Sequence, residues 1–588
     1  MDKYKKFMYI GIFILLISLV SSAGTYAWFT WISPSNTSVT LSIGNLADVT
    51  FTSGPDINIT NLAPVYNYTD GVSTTFTVRN TNSTDSLLYK VKLEITSIAN
   101  ELKDESFKYT LVKDNKVVKT GNLKDVVNGN TLILNTSSLD KGSTSSPKIS
   151  TFKLYFWIDG NMENNSNMMN KSLVGKIDVG VETNVITNTE SSISSTSKFL
   201  NSEVPRQNIS TLKVVDNLNI PEGATVVDVS KNSDNTIKMW YNEADANGNY
   251  DITIGSNNTI YANPSGSNLF SNLTNVTSID LSNMDTSGIV GMNGMFENDK
   301  ALTNIVFGDN FNTSNATNMT AMFRGCNNLT ELDLRMFDTL NVKSMYNMFA
   351  ESGIKNVNLS SFVTHNLDGG GMQRMFFNCT KLESLDLSSF DTSSITNFEK
   401  IFYHCTSLKS LNVSNFNTSN VTNFYDMFNG CSSLKELDVS GFDTSKAVIM
   451  GNMFSGCSSL ESLDVSHFNT SNVKTMSDMF SSLKCSLDLS NFDTSNVDNL
   501  SRMFMYYKNE RLDLSSFDTS KVTSTNHMFA SSSIEYIDLR NADFSNVTDY
   551  TNMFKGISKS TIIYLKDTTG NRNFMNTNFN NITATYIS

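Results

Sequence analysis

Apolar residues return along the second half of the chain with a period of 24 to 27 residues, and a Phe marks each beat. The series is Phe296, Phe323, Phe349, Phe376, Phe402, Phe428, Phe454, Phe480, Phe504, Phe529 and Phe554. Met precedes every one except Phe402, which follows Ile401. Within one period, Leu434, Leu437 and Val439 are apolar while Asp438 points the other way, which predicts a short strand. The FDTS stretch that follows, Phe442 to Ser445, predicts a turn capped by its Asp. In the preceding period, Val421, Phe424, Met427 and Phe428 sit at i, i+3, i+6 and i+7 behind Ser419-Asn420. That spacing predicts a short helix with an N-cap. Self-similarity at a fixed period outranks any local reading. Residues 266–565 are therefore expected to stack as a solenoid of about eleven coils, each a parallel strand plus a helix.

The first third of the chain follows a different rhythm. In YKVKLEIT, Tyr89, Val91, Leu93 and Ile95 face one way and Lys90, Lys92, Glu94 and Thr96 the other. Similar alternation at 38–43, 74–78, 107–112, 131–134, 152–158 and 176–182 predicts an antiparallel all-β sandwich over residues 28–183. Residues 184–197 lack an apolar period and read as a flexible linker. Residues 198–265 regain strand-like runs and are placed to cap the first coil, while 566–588 close the last one. At the N-terminus, Lys3, Lys5 and Lys6 precede an apolar run and then SSAGTYA. This layout predicts a signal peptide over residues 1–27 or, if uncleaved, a membrane anchor through residues 7–27. Either way the remainder is expected outside the cytoplasm.

Charge and composition narrow the function. A net charge of -13 without a basic patch excludes a nucleic-acid partner. All seven prolines lie at or before Pro264, which suits a stacked sheet that needs every ladder hydrogen bond. Cys326, Cys379, Cys405, Cys431 and Cys457 all fall three residues after the marker Phe. They are one small packed position repeated, not a disulfide framework or a metal site, and Cys485 stands apart. The chain holds no GxSxG, HExxH, P-loop or dinucleotide motif, so no enzymatic activity is expected.

The outward strand position repeats as Asp333, Asp386, Asp438, Asp464, Asp488, Asp513 and Asp538, with Asn412 in the same column. Asp280 precedes the series and Asn358 interrupts it. Stacked carboxylates repel, so a binding face for a basic partner or for calcium is one reading. The other is that each Asp bonds neighbouring Ser and Thr groups. No other cofactor is implied. The Met-Phe column belongs to the core.

The repeated phrase LxxLDLSxFDTSxVTxMxxMFxGCxSL closely resembles the BspA-like bacterial surface-protein leucine-rich repeat family. That resemblance implies an α/β leucine-rich-repeat solenoid on a surface or secreted bacterial protein, with members implicated in adhesion to host matrix, coaggregation or biofilm. The GTYAWFT junction followed by TSVTLSIGNLADVTF is similar to camelysin/TasA-type proteins. This second likeness implies a jelly-roll sandwich and, in some members, biofilm fibres; without HExxH it brings no protease. The expectation is an extracellular, surface or secreted protein that mediates adhesion by binding a protein or glycan through the solenoid. The alternative is a structural subunit of extracellular fibres, self-associating through the sandwich.

Overall fold

The computed structural model describes residues 38–42, 48–52, 57–59, 64–81, 86–143, 145–162, 165–169, 171–187, 193–579 and 582–587. The expected signal or anchor at residues 1–27, with the GTYAWFT junction, lies outside the described residues. Among the described residues no helix is long and apolar enough to cross a membrane. The chain divides into two compact units, Met1–Glu182 and Thr183–Ser588.

In the first unit the strands are β1 Ser38–Ser42, β2 Asp48–Thr52, β3 Ile57–Ile59, β4 Pro64–Val65, β5 Val72–Asn80 and β6 Leu87–Ile98. They continue as β7 Phe107–Lys113, β8 Lys116–Asn122, β9 Thr131–Leu139, β10 Lys148–Asp159 and β11 Leu173–Val181. One sheet runs β1-β2-β5-β10-β7-β8, with β4 beside β10; the other runs β3-β11-β6-β9. Apart from β4, every pairing is antiparallel. The period-two residues Tyr89, Val91, Leu93 and Ile95 enter a core with Phe76, Phe107, Phe152 and Phe156. Phe76 and Phe152 are register partners and stack at 5.1 Å. On the other face of β6, Lys92 and Glu94 reach Asp178 and Lys176 of β11, at 4.0 and 2.8 Å.

The second unit opens with β12 Ile209–Val215, β13 Thr225–Asp228, β14 Lys238–Tyr241, β15 Tyr250–Gly255 and β16 Ile260–Tyr261. The first coils add β17 Ser278–Leu281, β18 Met284–Asp285 and β19 Asn304–Phe307. One sheet, β13-β14-β15-β12-β17-β19, carries the opening strands directly into the coils. The stretch expected as a linker contributes at its start to this unit: Val185 and Ile186 are buried and bridge to Tyr261 and Ser230.

The coils carry no helix, which corrects the α/β leucine-rich-repeat architecture of a strand plus a helix in each repeat. The only α-helix among the described residues is α1, Thr569–Asn578, after the last coil. Where a helix was expected, the backbone runs as consecutive turns. Around Phe428, alternate N–H groups leave the coil: Phe424, Asp426, Phe428 and Gly430 donate to the carbonyls of Ile449, Gly451, Met453 and Ser455 in the next coil, at 2.8–3.0 Å. The N–H groups of Met427, Asn429 and Cys431 donate within the coil, to the carbonyls three residues back. Such a path needs left-handed residues, and they recur two before and two after the marker Phe. Asp426, Asn452 and Asp478 have φ of 57–58°, and Gly430 and Gly456 have φ of 76° and 71°. Each non-glycine there costs about 1–2 kcal/mol, offset by inter-coil bonds contributing about 0.5–1.5 kcal/mol each. The apolar spacing that suits a helix face suits this turn ladder equally: Val421, Phe424, Met427, Phe428 and Cys431 are all fully buried.

The marker Phe rings form one stack with neighbouring centroids 5.4–6.1 Å apart. Phe270 begins it, one beat before the sequence period becomes evident, and Asn268 and Asn272 already hold the left-handed positions. The strands are shorter than expected and pair only in places: β20 Ser384–Asp386 with β21 Ser410–Asn412, and β22 Arg511–Asp513 with β23 Tyr536–Leu539, β24 Ile562–Lys566 and β25 Ala584–Ile587. At the end of the stack, Asn571 of α1 is buried and bonds the carbonyl of Ala542 and the N–H of Phe544.

Candidate functional site

Two side-chain columns hold the coils so firmly that they are unavailable for chemistry. The first is the Thr of FDTS. Thr444 Oγ1 donates to the Asn469 carbonyl at 3.0 Å and accepts the Asn469 N–H at 2.8 Å, so one hydroxyl stitches two coils. Thr313, Thr339, Thr470 and Thr519 repeat both bonds. These threonines are buried. The sequence pattern assigns the cap of this turn to its Asp and gives the Thr no role, although a Thr recurring there in nearly every coil was the available signal. The second column is the cysteines. Each of Cys326, Cys379, Cys405, Cys431 and Cys457 donates its thiol to the carbonyl of the marker Phe one coil back, at 2.9–3.2 Å. Burial pushes the thiols of Cys379 and Cys431 up to about 12. Asp299 takes the first place in this column and accepts the Leu273 N–H at 2.8 Å.

The outward strand column is the remaining regular feature. Asp386, Asp438, Asp464, Asp488 and Asp513 are exposed, and each accepts the backbone N–H of the Ser two residues on, at 2.9–3.0 Å. Asn412 does the same for Ser414 at 3.2 Å and is half-buried. These are Asx turns, which fix the side chain against the strand end. Asp333 is clamped by Arg335 at 2.6 Å, and that guanidinium holds its carboxyl down to about 2. Asp538 is buried against Arg540 and lies off the accessible face. The serine hydroxyls and N–H groups keep Asp438, Asp464 and Asp488 below the usual carboxylate range. The structure brings Asp386 and Asn412 together as register partners, and likewise Asp513 and Asp538. Among the described residues, no group of three or more His, Cys, Asp or Glu could hold a metal ion.

The column borders an open groove of about 580 Å³. It spans three coils, with Asn356, Asn358, Ser384, Asp386, Ser410 and Asn412 in its wall and Val357, Leu359 and Leu385 behind them. β20 pairs with β21 alone, and the segment 356–359 lies beside it without a ladder, as the corresponding segments of several other coils do. Asn358 was visible in the sequence only as an interruption of the Asp column; the groove gives it a place. Asp386 is held below the usual range by the N–H and hydroxyl of Ser388, with the Asn412 amide contributing.

Stacked coils, a turn ladder in place of helices and one long polar strand face define a repeat solenoid. The chain belongs to the family described as Mycoplasma protein of unknown function, DUF285. That family matches residues 265–372, 370–486 and 461–566, together just over half of the 588 residues. No significant match was found among curated proteins or solved structures.

Proposed function

We propose that this is an extracellular protein, surface-held or secreted, that mediates adhesion by binding a protein or glycan along the strand face of its solenoid. One observation carries the reading: the coils commit their apolar residues to the core and present a column of turn-fixed polar groups that continues from coil to coil. A face assembled from repeated short strands suits recognition spread over several coils. The resemblance of the repeat phrase to BspA-like surface proteins and the signal-like N-terminus support the same reading. No catalysis and no bound metal are part of it.

The test uses the full chain on immobilised matrix proteins and glycans. Substitutions are made in blocks along the face: Asp333 with Asp386, then Asp438, Asp464 and Asp488, each to Asn. The amide oxygen of Asn keeps the turn cap, so folding is preserved while charge is removed. Binding that weakens with one or more blocks supports the proposal. Absence of binding, or binding indifferent to every block, removes it.

A second reading assigns the first unit to fibre assembly. The open outer edges of its sheets, β8 and β9, support it, because an unpaired edge is a template for another chain. Filaments of the intact protein under electron microscopy, lost when Val117 on β8 becomes Pro, would favour this reading over the first.

A further inference from the structure

We infer that the groove around β20 is a binding site for a neutral saccharide, a refinement that rests on the strand-face reading above. Four observations converge on it. The wall is built from amides and hydroxyls, with one carboxylate, Asp386, and no cation. Elsewhere the same column presents carboxylates coil after coil, as at Asp438, Asp464, Asp488 and Asp513, whereas here Asn358 and Asn412 flank Asp386.

The polar groups are also held in place before any ligand arrives. Asn358 Oδ1 accepts the Ser360 N–H at 3.0 Å, and Asn356 Oδ1 accepts the Ser384 hydroxyl at 2.7 Å. With their oxygens engaged, Asn356 and Asn358 turn their amide N–H donors to no protein acceptor among the described residues. Asp386 is held by the N–H of Ser388 at 2.9 Å, by the Ser388 hydroxyl and by the Asn412 amide, so its carboxylate is fixed in the wall. Ser389 and Ser410 are exposed and supply hydroxyls that serve either way, while Ser384, its proton given to Asn356, can only accept. A saccharide hydroxyl is itself both donor and acceptor, so a wall of alternating fixed donors and acceptors matches it. An acidic ligand would meet Asp386, and a strongly basic one would find a single carboxylate.

Finally, the groove has an apolar back. Val357 is half-exposed and offers the C–H face of a sugar ring an apolar contact, with Leu359 and Leu385 packed beneath it in the core. The length of the groove across three coils fits more than one ring, so the ligand class is an oligosaccharide.

The double variant Asn358→Asp with Asn412→Asp separates recognition from folding. Aspartate caps the same turns, as Asp386 and Asp438 do, so the fold is retained, with thermal stability lowered only modestly by the carboxylate placed opposite Asp386. It removes amide donors and adds charge. Titration calorimetry of the full chain would use three probes: a β-glucan oligomer, an N-acetylglucosamine oligomer and, as the acidic control, hyaluronan fragments. The expected result is binding of at least one neutral probe, weakened at least about tenfold in the double variant. Binding of hyaluronan alone, no binding of either neutral probe, or equal affinity in the folded double variant would each overturn the inference. If matrix proteins still bind while no saccharide does, this inference fails and the adhesion reading survives. If nothing binds the face at all, both fail.

Discussion

At the scale of single residues, the cysteine and threonine columns make opposite predictions about tolerance. Ser352 and Ser532 already occupy the cysteine place in other coils, where Ser352 reaches the Cys379 sulfur at 3.6 Å and the Ser532 hydroxyl is buried without a partner, so the stack accommodates a hydroxyl there. Cys431→Ser should therefore shift stability by less than about 1.5 kcal/mol in urea titrations. Thr444→Val is isosteric but strips Asn469 of both a donor and an acceptor partner. It should cost about 2–4 kcal/mol, while Thr444→Ser costs less. The thiols also set a pH window. Their folded-state values are raised from 9.0 to about 12, so the neutral thiol is favoured only in the fold. Their contribution is complete below pH 9 and is lost as pH rises toward 12. Native protein at pH 8 should leave all five column cysteines unreacted with iodoacetamide, and alkaline unfolding should expose them; labelling without unfolding would contradict the packing described.

At the scale of the element, the turn ladder is the new object. Its left-handed positions are filled by Gly, Asn and Asp in several coils but by Lys400, Arg374 and Arg502 in others. Gly430 is an obligatory case. Its φ is 76°, and a Cβ there would stand 2.3 Å from Cδ2 of His404. Gly430→Ala should destabilise by at least about 1 kcal/mol from the backbone alone, and more from the clash. Asn452→Gly has φ of 58° and should be neutral or stabilising in the same thermal melts. A helix at these positions would reverse the ordering, because Ala is favoured over Gly inside a helix.

At the scale of the second unit, the solenoid has two unlike ends. In every coil the N–H groups of the turn ladder donate forward, so the first coil would present carbonyls with no donor behind them. Arg206 supplies it. Its buried guanidinium donates to the carbonyl of Ser271 at 2.7 Å and to that of Leu269 at 3.3 and 3.4 Å, in place of a preceding coil. Arg206→Met keeps the bulk and removes the donors, leaving those carbonyls buried and unpaired at a cost of about 2 kcal/mol or more. Because each coil rests mainly on its neighbours, the damage should be graded. Hydrogen exchange should rise first around residues 268–272 and leave the coils beyond Phe428 protected. Uniform loss of protection would show that the stack opens as one body.

The repeat period, the buried identity of Met, Phe, Cys, Leu and Val, and the outward place of the Asp column up to Asp513 were legible in the residues, because burial follows side-chain polarity and spacing; Asp538, buried against Arg540, was not. The route of the backbone was not. Apolar residues at i, i+3 and i+7 satisfy a helix face and a stacked turn ladder alike. Whether an N–H bonds four residues back or reaches the next coil depends on a neighbour about 26 residues away. The alternation of Gly, Asn and Asp two places either side of the marker Phe was the one local hint. The groove lay further from view. Asn358 and Asn412 were two irregular letters in a column until the stacking of three coils around β20 set them in one wall. Periodicity determined what this chain buries; the competition between bonds within a coil and bonds between coils, decided only in the stack, determined its path and the surface it presents.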